Sequence, residues 1–258
     1  MRKMFNFWRV CVILSASLFS LQSCLDVDDN DGNLVIDPDP VEPPNVLVTV
    51  KPVGENSFYM QLDDSTTLYP SNMKKSPFGN KEVRALGRVV ELNEPSKGYT
   101  KAVDVFWLDS ILTKATAPDL GVSNNSVYGT DPVDIVKDWV SIAEDGYLTL
   151  LFRTNFSGNG TKHHVNLLTH QNPENPYEVE FRHNAFGDLK GKRLNGLVAF
   201  KLDKLPDTKG KTVKLKLVWK SYDGTHSTEF DYCTRKSTKS IAAFSTFPLE
   251  PGMYENIK

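Results

Sequence analysis

The stretch WVSIAEDGYLTLLFRTNF, Trp139 to Phe156, decides the fold. Apolar and polar residues alternate on both sides of Asp145-Gly146. A period of two marks a strand, because successive side chains point to opposite faces. Asp-Gly between two such runs is a favoured two-residue hairpin, since both central residues tolerate positive φ. The pattern continues downstream, with strands expected at Thr161 to Thr169, Tyr177 to His183, Leu197 to Leu202, Thr212 to Lys220 and Ser227 to Cys233. In one of these Val213, Leu215, Leu217 and Trp219 point one way and Lys214, Lys216 and Lys220 the other. Such a strand has one dry and one wet face. Repeated short strands with regular turn signals imply an antiparallel β-sandwich over 131–258. Beyond Thr234 the tail is irregular, apart from an expected strand at Ile241 to Phe247.

Upstream, a loop from Ala115 to Thr130 carries Pro118, Gly121, Asn124, Asn125 and Gly129, and the domain boundary is expected in it. Asp131-Pro132 then reads as the opening of a short helix, with Asp as N-cap and Pro in the first turn. Before the loop, strands are expected at Val46 to Val53, Ser57 to Leu62, Thr67 to Tyr69, Val83 to Leu92 and Ala102 to Leu112. Asp63 to Thr66 is a turn, and Gly87 marks a bulge or sharp bend. Short strands of this number over 46–130 suggest a small barrel of the OB type. The fold class is therefore all-β, an OB-like barrel followed by an antiparallel β-sandwich.

The N-terminus, MRKMFNFWRVCVILSASLFSLQSC, has a basic start at Arg2, Lys3 and Arg9 and an apolar core from Val10 to Leu21. That core is shorter than the roughly 20 residues needed to span a bilayer, and the pattern is that of a signal peptide, here 1–23. Leu21-Gln22-Ser23-Cys24 resembles the lipobox of bacterial lipoproteins. The resemblance implies that Cys24 carries lipid and becomes the new N-terminus, so membrane lipid is one expected partner. Residues 24–45 form an acidic, proline-rich tether: Asp26, Asp28, Asp29, Asp31, Asp37, Asp39 and Glu42 are accompanied by no Lys or Arg. Like charges and prolines keep such a segment extended. Acids soon after the cysteine also resemble an export signal to the outer face of the outer membrane in some Gram-negative anaerobes. A lipid-anchored protein of the outer membrane, facing the cell exterior, is the expectation. Asp26, Asp28 and Asn30 match the start of a calcium loop, but Asp31 and Asp37 stand where Gly and Glu are needed.

Of 30 basic and 32 acidic residues, three basic ones fall in the signal peptide and seven acidic ones in the tether. The body keeps 27 against 25 and is close to neutral. That excludes nucleic acid as an expected partner, because a phosphate backbone asks for a strongly basic face. After processing only Cys24 and Cys233 remain, so no intramolecular disulfide is expected, and Cys233 reads as a small buried side chain.

Asn56 to Asn72 (NSFYMQLDDSTTLYPSN), together with VRALGRVVEL, DGYLTLLFRT, FRHNAFGD (Phe181 to Asp188) and the LQSC anchor, resembles the NigD-like lipoproteins. The resemblance spans nearly the whole mature chain. It implies an N-terminal OB-like domain and a C-terminal β-sandwich, in agreement with the strand pattern. The family's namesake is encoded beside a bacteriocin, which brings an immunity role into view.

No catalytic motif is found. Ser71-Asn72-Met73-Lys74 matches S-x-x-K without its companion motifs, and G-x-S-x-G, H-E-x-x-H, P-loop and dinucleotide motifs are absent. His163 and His164 are adjacent on a strand and face opposite sides; His164 and His170 share a face but lie roughly 20 Å apart. Hence neither a metal nor a cofactor is expected, and His183 reads as a residue that fixes the RHNAFGD turn, with Asn184, Gly187 and Asp188 as turn formers. Glu178 and Glu180 read as a wet strand face. Among the barrel aromatics Phe58, Tyr59, Tyr69 and Trp107, the exposed ligand-binding candidates are Tyr59 and Tyr69, since OB barrels bind ligands on one open face. The leading expectation is a non-enzymatic protein-binding lipoprotein, immunity-like. Alternatives are a glycan-binding accessory of nutrient uptake and a hydrolase with a dispersed site.

Overall fold

The computed structural model describes residues 42–170 and 172–235, which lie within one compact unit. The expected signal peptide, Cys24, the acidic run as far as Asp39 with its calcium-like start, and the strand expected at Ile241 to Phe247 lie outside the described residues.

Five strands, β1 (Val46–Pro52), β2 (Phe58–Gln61), β3 (Thr67–Pro70), β4 (Val83–Leu92) and β5 (Lys101–Ser110), close a barrel in the order β1-β2-β3-β5-β4. Alternate residues fill it, with Val48, Val50, Phe58, Met60, Leu68 and Val103 meeting in its core. The turn before β3 is set by Asp63, whose Oδ1 accepts from the Ser65 and Thr66 amides at 2.7 Å each. Such a side-chain bond to the following backbone is why Asp favours turns. Gly87 lets β4 bend: a Cβ there would come within 2.6 Å of the Leu108 side chain and 2.9 Å of the Trp107 carbonyl. The ladder slips immediately after it, between Arg88 and Val89.

The second half is a sandwich of β6 (Leu112–Ala115), β7 (Asp134–Ile135), β8 (Ile142–Glu144), β9 (Tyr147–Phe156), β10 (His164–Thr169), β11 (Glu178–Asn184), β12 (Lys192–Lys201), β13 (Val213–Ser221) and β14 (Gly224–Tyr232). One sheet runs β6-β12-β9-β7, with β8 also on β9; the other runs β10-β11-β13-β14. Asp145 and Gly146 take φ of 46° and 74°, the paired positive values that the hairpin needs. Leu148, Leu150 and Phe152 of β9 meet Leu167, Phe181 and Leu217 of the facing sheet in the core. The opposite face of β9 is dry too: Tyr147 and Leu151 pack with Leu47, Leu86 and Ile111 from the barrel side. Two buried faces explain why YLTLLF is an almost continuous apolar run.

Two expectations change. The run Ala102 to Leu112 divides at the buried Ile111. β5 ends at Ser110, and β6 pairs in parallel with β12, so the chain already belongs to the sandwich from Leu112, ahead of the Ala115–Thr130 loop. Asp131-Pro132 opens no helix. The helix is α1 (Asn124–Tyr128), inside the loop. Asp131 instead donates its amide to the His183 carbonyl at 2.9 Å and accepts the Ala185 amide at 2.7 Å on its carboxylate. Tertiary partners have taken the groups that a helix cap would have used.

Candidate functional site

Tyr59 and Tyr69 lie on neighbouring strands of the barrel. The β2–β3 register pairs Met60 with Leu68 and so sets Tyr59 opposite Tyr69. Both are half-buried, between inward-pointing neighbours. A third ring joins them. Tyr99, from the β4–β5 loop, stacks on both, with centroids 5.1 Å from Tyr59 and 6.1 Å from Tyr69 and interplanar angles of 26° and 9°. Lys97 Nζ donates to the Tyr69 hydroxyl at 2.5 Å, 4.5 Å from the ring centre, and Lys51 Nζ lies 5.9 Å over the Tyr59 ring. Each such cation–ring contact is worth about 0.5–1 kcal/mol at an exposed site.

The loop is built to place Tyr99. Lys97 and Gly98 both have positive φ, and the Tyr99 amide donates to the Ser96 carbonyl at 3.0 Å. Thr67 and Thr100 exchange amide-to-hydroxyl bonds of 3.1 Å, tying the loop to β3. Tyr99 was not legible as a site residue, because a loop has no period; the Lys97-Gly98 turn signal just before it was the available clue.

Lys51 leads from this column into a polar seam between barrel and sandwich. Its Nζ donates to Asp145 Oδ1 at 2.8 Å, although burial lowers its pKa. Asp64 Oδ1 accepts the Asp145 amide at 2.6 Å, and burial raises the Asp64 pKa. At the centre is Arg84, with no exposed surface. Its guanidinium donates to Glu144 Oε1 at 2.7 Å, Thr49 Oγ1 at 3.0 Å and Thr149 Oγ1 at 3.4 Å. Burial pushes the Glu144 carboxyl up to about 7 against the pull of Arg84. Tyr147 donates to Glu82 Oε1 at 2.6 Å, and Arg235 Nη1 donates to the same oxygen at 2.8 Å. Burial works against the Glu82 charge, but these two donors hold its pKa below the usual value. A cleft of about 640 Å³ opens beside them, with Lys201, Asp203 and Asp207 also on its walls.

At the far end of the sandwich His163 and His183 meet. His163 Nδ1 is 3.0 Å from His183 Nε2, and His163 Nε2 is 3.3 Å from Asp188 Oδ2. A carboxylate accepts only, which assigns the protons in sequence. His163 Nε2–H donates to Asp188, so Nδ1 must accept from His183 Nε2–H. His183 Nδ1 then carries no hydrogen, with the backbone of Asp131 and Pro132 beside the ring. Burial, and then His163, pushes the His183 pKa down to about 4. His183 reaches Asp188 of the turn through His163, which lies just before β10 and was not legible as its partner. His164, on the opposite face, is exposed.

These groups do not form a nucleophilic triad. Ser157 meets the carboxylate of Asp188 through its amide at 3.2 Å, whereas a triad needs the imidazole between the hydroxyl and the acid. The Ser71 hydroxyl of the S-x-x-K match donates to Glu94. Among the described residues no three His, Cys, Asp or Glu side chains converge in a metal-binding geometry.

A barrel of this strand order fused to this sandwich defines the architecture of a NigD-like protein. The chain belongs to that family: residues 47–111 match the NigD-like N-terminal OB domain, and 115–232 match the NigD-like C-terminal beta sandwich domain. A solved structure of a toxin-related protein from Parabacteroides distasonis is similar at 36% identity and TM-score 0.61, covering 73% of this chain and 92% of that one. A NigD-like immunity protein from Bacteroides caccae is similar at 23% identity and TM-score 0.54, covering 76% and 99%. A protein of unknown function from Bacteroides vulgatus is similar at 20% identity and TM-score 0.61, covering 78% and 95%. No curated protein matches this chain.

Proposed function

We propose that this NigD-like protein is a lipid-anchored envelope protein that works by binding a protein partner, in the manner of an immunity protein, and not by catalysis. The observation that carries the reading is the lysine–tyrosine column on the β2–β3 face. In OB barrels that face and the β4–β5 loop are where ligands bind. Tyrosine offers a large, amphipathic contact surface at low entropic cost and is enriched at protein interfaces. The family match, and relatives named for toxin or immunity contexts, point the same way. Glycan capture by Tyr59 and Tyr69 is the competing reading. Sugar stacking asks for open ring faces, whereas Tyr99 already stacks on both rings.

A deletion strain tests the function. It should lose resistance to a toxin made by neighbouring strains and regain it with the wild-type gene. A Tyr59→Ala/Tyr69→Ala gene expressed at equal level should not restore it. Unchanged resistance in the deletion strain sinks the immunity reading, and a glycan-array signal lost in the double variant would transfer the column to sugars. Surface display is tested by protease shaving of intact cells carrying a tag after Lys258. A tag that survives until the outer membrane is breached removes the exterior placement and leaves Cys24 as an inward-facing anchor.

A further inference from the structure

The end of the sandwich remote from the barrel presents an unusual surface. β9 starts at the barrel with Tyr147 and reaches this end at Phe156, roughly 30 Å away for a strand of that length. Phe186 is 57% exposed, Tyr222 44% and Leu189 40%. Phe186 also has φ of 50°, a conformation that costs a residue with a Cβ and marks functional loops. The loop is held in this form from below. Asn184 Oδ1 accepts the Phe186 amide at 2.9 Å, and Asp131 accepts that of Ala185. Asp188, clamped by Ser157 and His163, closes the turn by donating its amide to the Ala185 carbonyl at 2.9 Å.

The neighbouring side chains are basic. Lys190 and Lys192 are exposed, and the Arg193 guanidinium lies 4.8 Å from the Tyr222 ring. Leu189 and Tyr222 are joined through Asn155, which donates its side-chain amide to the Leu189 carbonyl at 3.1 Å and its backbone amide to Tyr222 Oη at 3.2 Å. Besides Asp131 and Asp188, which hold the loop, two further acids sit nearby: Asp134 pairs with Arg193, and the exposed Asp223 meets His226 at 2.8 Å, an ion pair when that imidazole is protonated.

We propose that this end is a docking surface for an anionic lipid headgroup layer, into which Phe186, Leu189 and Tyr222 enter while Lys190 and Lys192 meet the headgroups. The apolar groups stand on loops, and they line neither the cleft of about 640 Å³ nor that of about 570 Å³, both of which are at the barrel end. Protruding aromatics ringed by lysine suit the interface of a bilayer, where apolar bodies bury and ammonium groups stay wet. A membrane is also close at hand. The surface rests on the anchor part of the proposed function: from Cys24 to Glu42 the chain reaches at most about 60 Å, enough for the sandwich to fold back onto the membrane that holds it.

The test is sedimentation with vesicles of phosphatidylcholine and phosphatidylglycerol at three to one. The protein is the chain from residue 24 onward with Cys24→Ser, so no attached lipid contributes. It should sediment with these vesicles and not with phosphatidylcholine alone. Phe186→Asn should weaken binding about tenfold, from the lost burial of one aromatic side chain. Lys190→Gln/Lys192→Gln should weaken it about 30-fold, at about 1 kcal/mol for each lysine near an anionic surface. Thermal unfolding checks that each variant is folded. Sedimentation that is absent, or equal in the variants, overturns the proposal and leaves the patch to a protein partner. The anchor reading is judged separately, by radiolabelled palmitate in the wild-type protein in cells and its loss in Cys24→Ser.

Discussion

Arg84→Met probes the seam where barrel and sandwich meet. The substitution keeps an apolar stem of similar length and removes only the guanidinium. Arg84 has no solvent to return to, and its Nη2 holds Glu144, whose side chain is 13% exposed. Breaking a buried ion pair from one side costs about 3–5 kcal/mol, because the remaining charge is left uncompensated. For a body of this size each kcal/mol lowers Tm by roughly 2–4 °C. A fall of about 6–20 °C is expected at pH 8, read by urea and thermal unfolding with tryptophan emission. Trp107 and Trp139 pack in the same layer and report on it directly.

The pH dependence makes the prediction sharper. The Glu144 pKa is raised, from 4.5 to about 7. A carboxyl whose folded pKa is raised favours the folded state most when protonated. Its contribution is fully present below about 4.5 and is lost as pH rises through about 7, by at most about 3 kcal/mol. At pH 5.5 Glu144 in the folded wild type is already largely neutral, so removing Arg84 there strands no anion. The Arg84→Met penalty should therefore shrink towards the loss of two hydrogen bonds to Thr49 and Thr149, about 1–3 kcal/mol. Adding Glu144→Leu should recover most of the pH 8 loss. A penalty under about 1 kcal/mol at pH 8, or one that grows on acidification, would refute the account.

Phe186→Asn should raise stability by about 1 kcal/mol, since asparagine tolerates positive φ and little buried area is lost; calorimetry reads it as a higher Tm. Gly191→Ala should cost at least about 3 kcal/mol, by positive-φ strain plus overlap. Its φ is 105° and a Cβ would lie 2.3 Å from the Phe156 carbonyl oxygen, so a soluble variant with unchanged Tm would contradict the register of β9 with β12. His163→Phe should cost about 1–3 kcal/mol, because it leaves the buried His183 donor without a partner and Asp188 with the Ser157 amide alone. In that variant proton NMR should show the His183 ring proton shifted, and an unchanged urea midpoint would count against the relay.

What was legible followed the range of the interaction. The hairpin at Asp145-Gly146 is local: two residues with positive φ and a period of two on each side suffice. The same holds for the Asp63 turn and for Asn184 capping the Phe186 amide. A period of two says which side chains share a face, but not what that face meets. Tyr147 and Leu151 were thus readable as one face of a strand and not as the floor under the barrel. Arg84 and Glu144 are 60 positions apart and His163 and His183 are 20 apart, so neither pair leaves a mark in a local window. Ile111 misled for the converse reason: the apolar pair Ile111-Leu112 continues the pattern straight after Asp109-Ser110 and hid the point where the chain changes sheets.

Lys51 ties the candidate site to this architecture. Its ammonium is shared between the Tyr59 ring, at 5.9 Å, and Asp145, at 2.8 Å. Asp145 is a central residue of the hairpin and also takes the Asp64 carboxylate on its amide and Arg235 Nε on its carbonyl oxygen. A partner that drew Lys51 towards the column would have to compete with a short buried ion pair and would disturb the hairpin on which the sandwich is registered. Lys97 carries no such obligation: it is exposed, and it donates to the hydroxyl of Tyr69 and not to a buried carboxylate. The column is therefore asymmetric. Its Lys97 end can adjust to a ligand at a cost of about 1 kcal/mol or less, while its Lys51 end is held by the seam. Recognition on this face should therefore be organised from the rigid Tyr59 side, with adaptation confined to the β4–β5 loop.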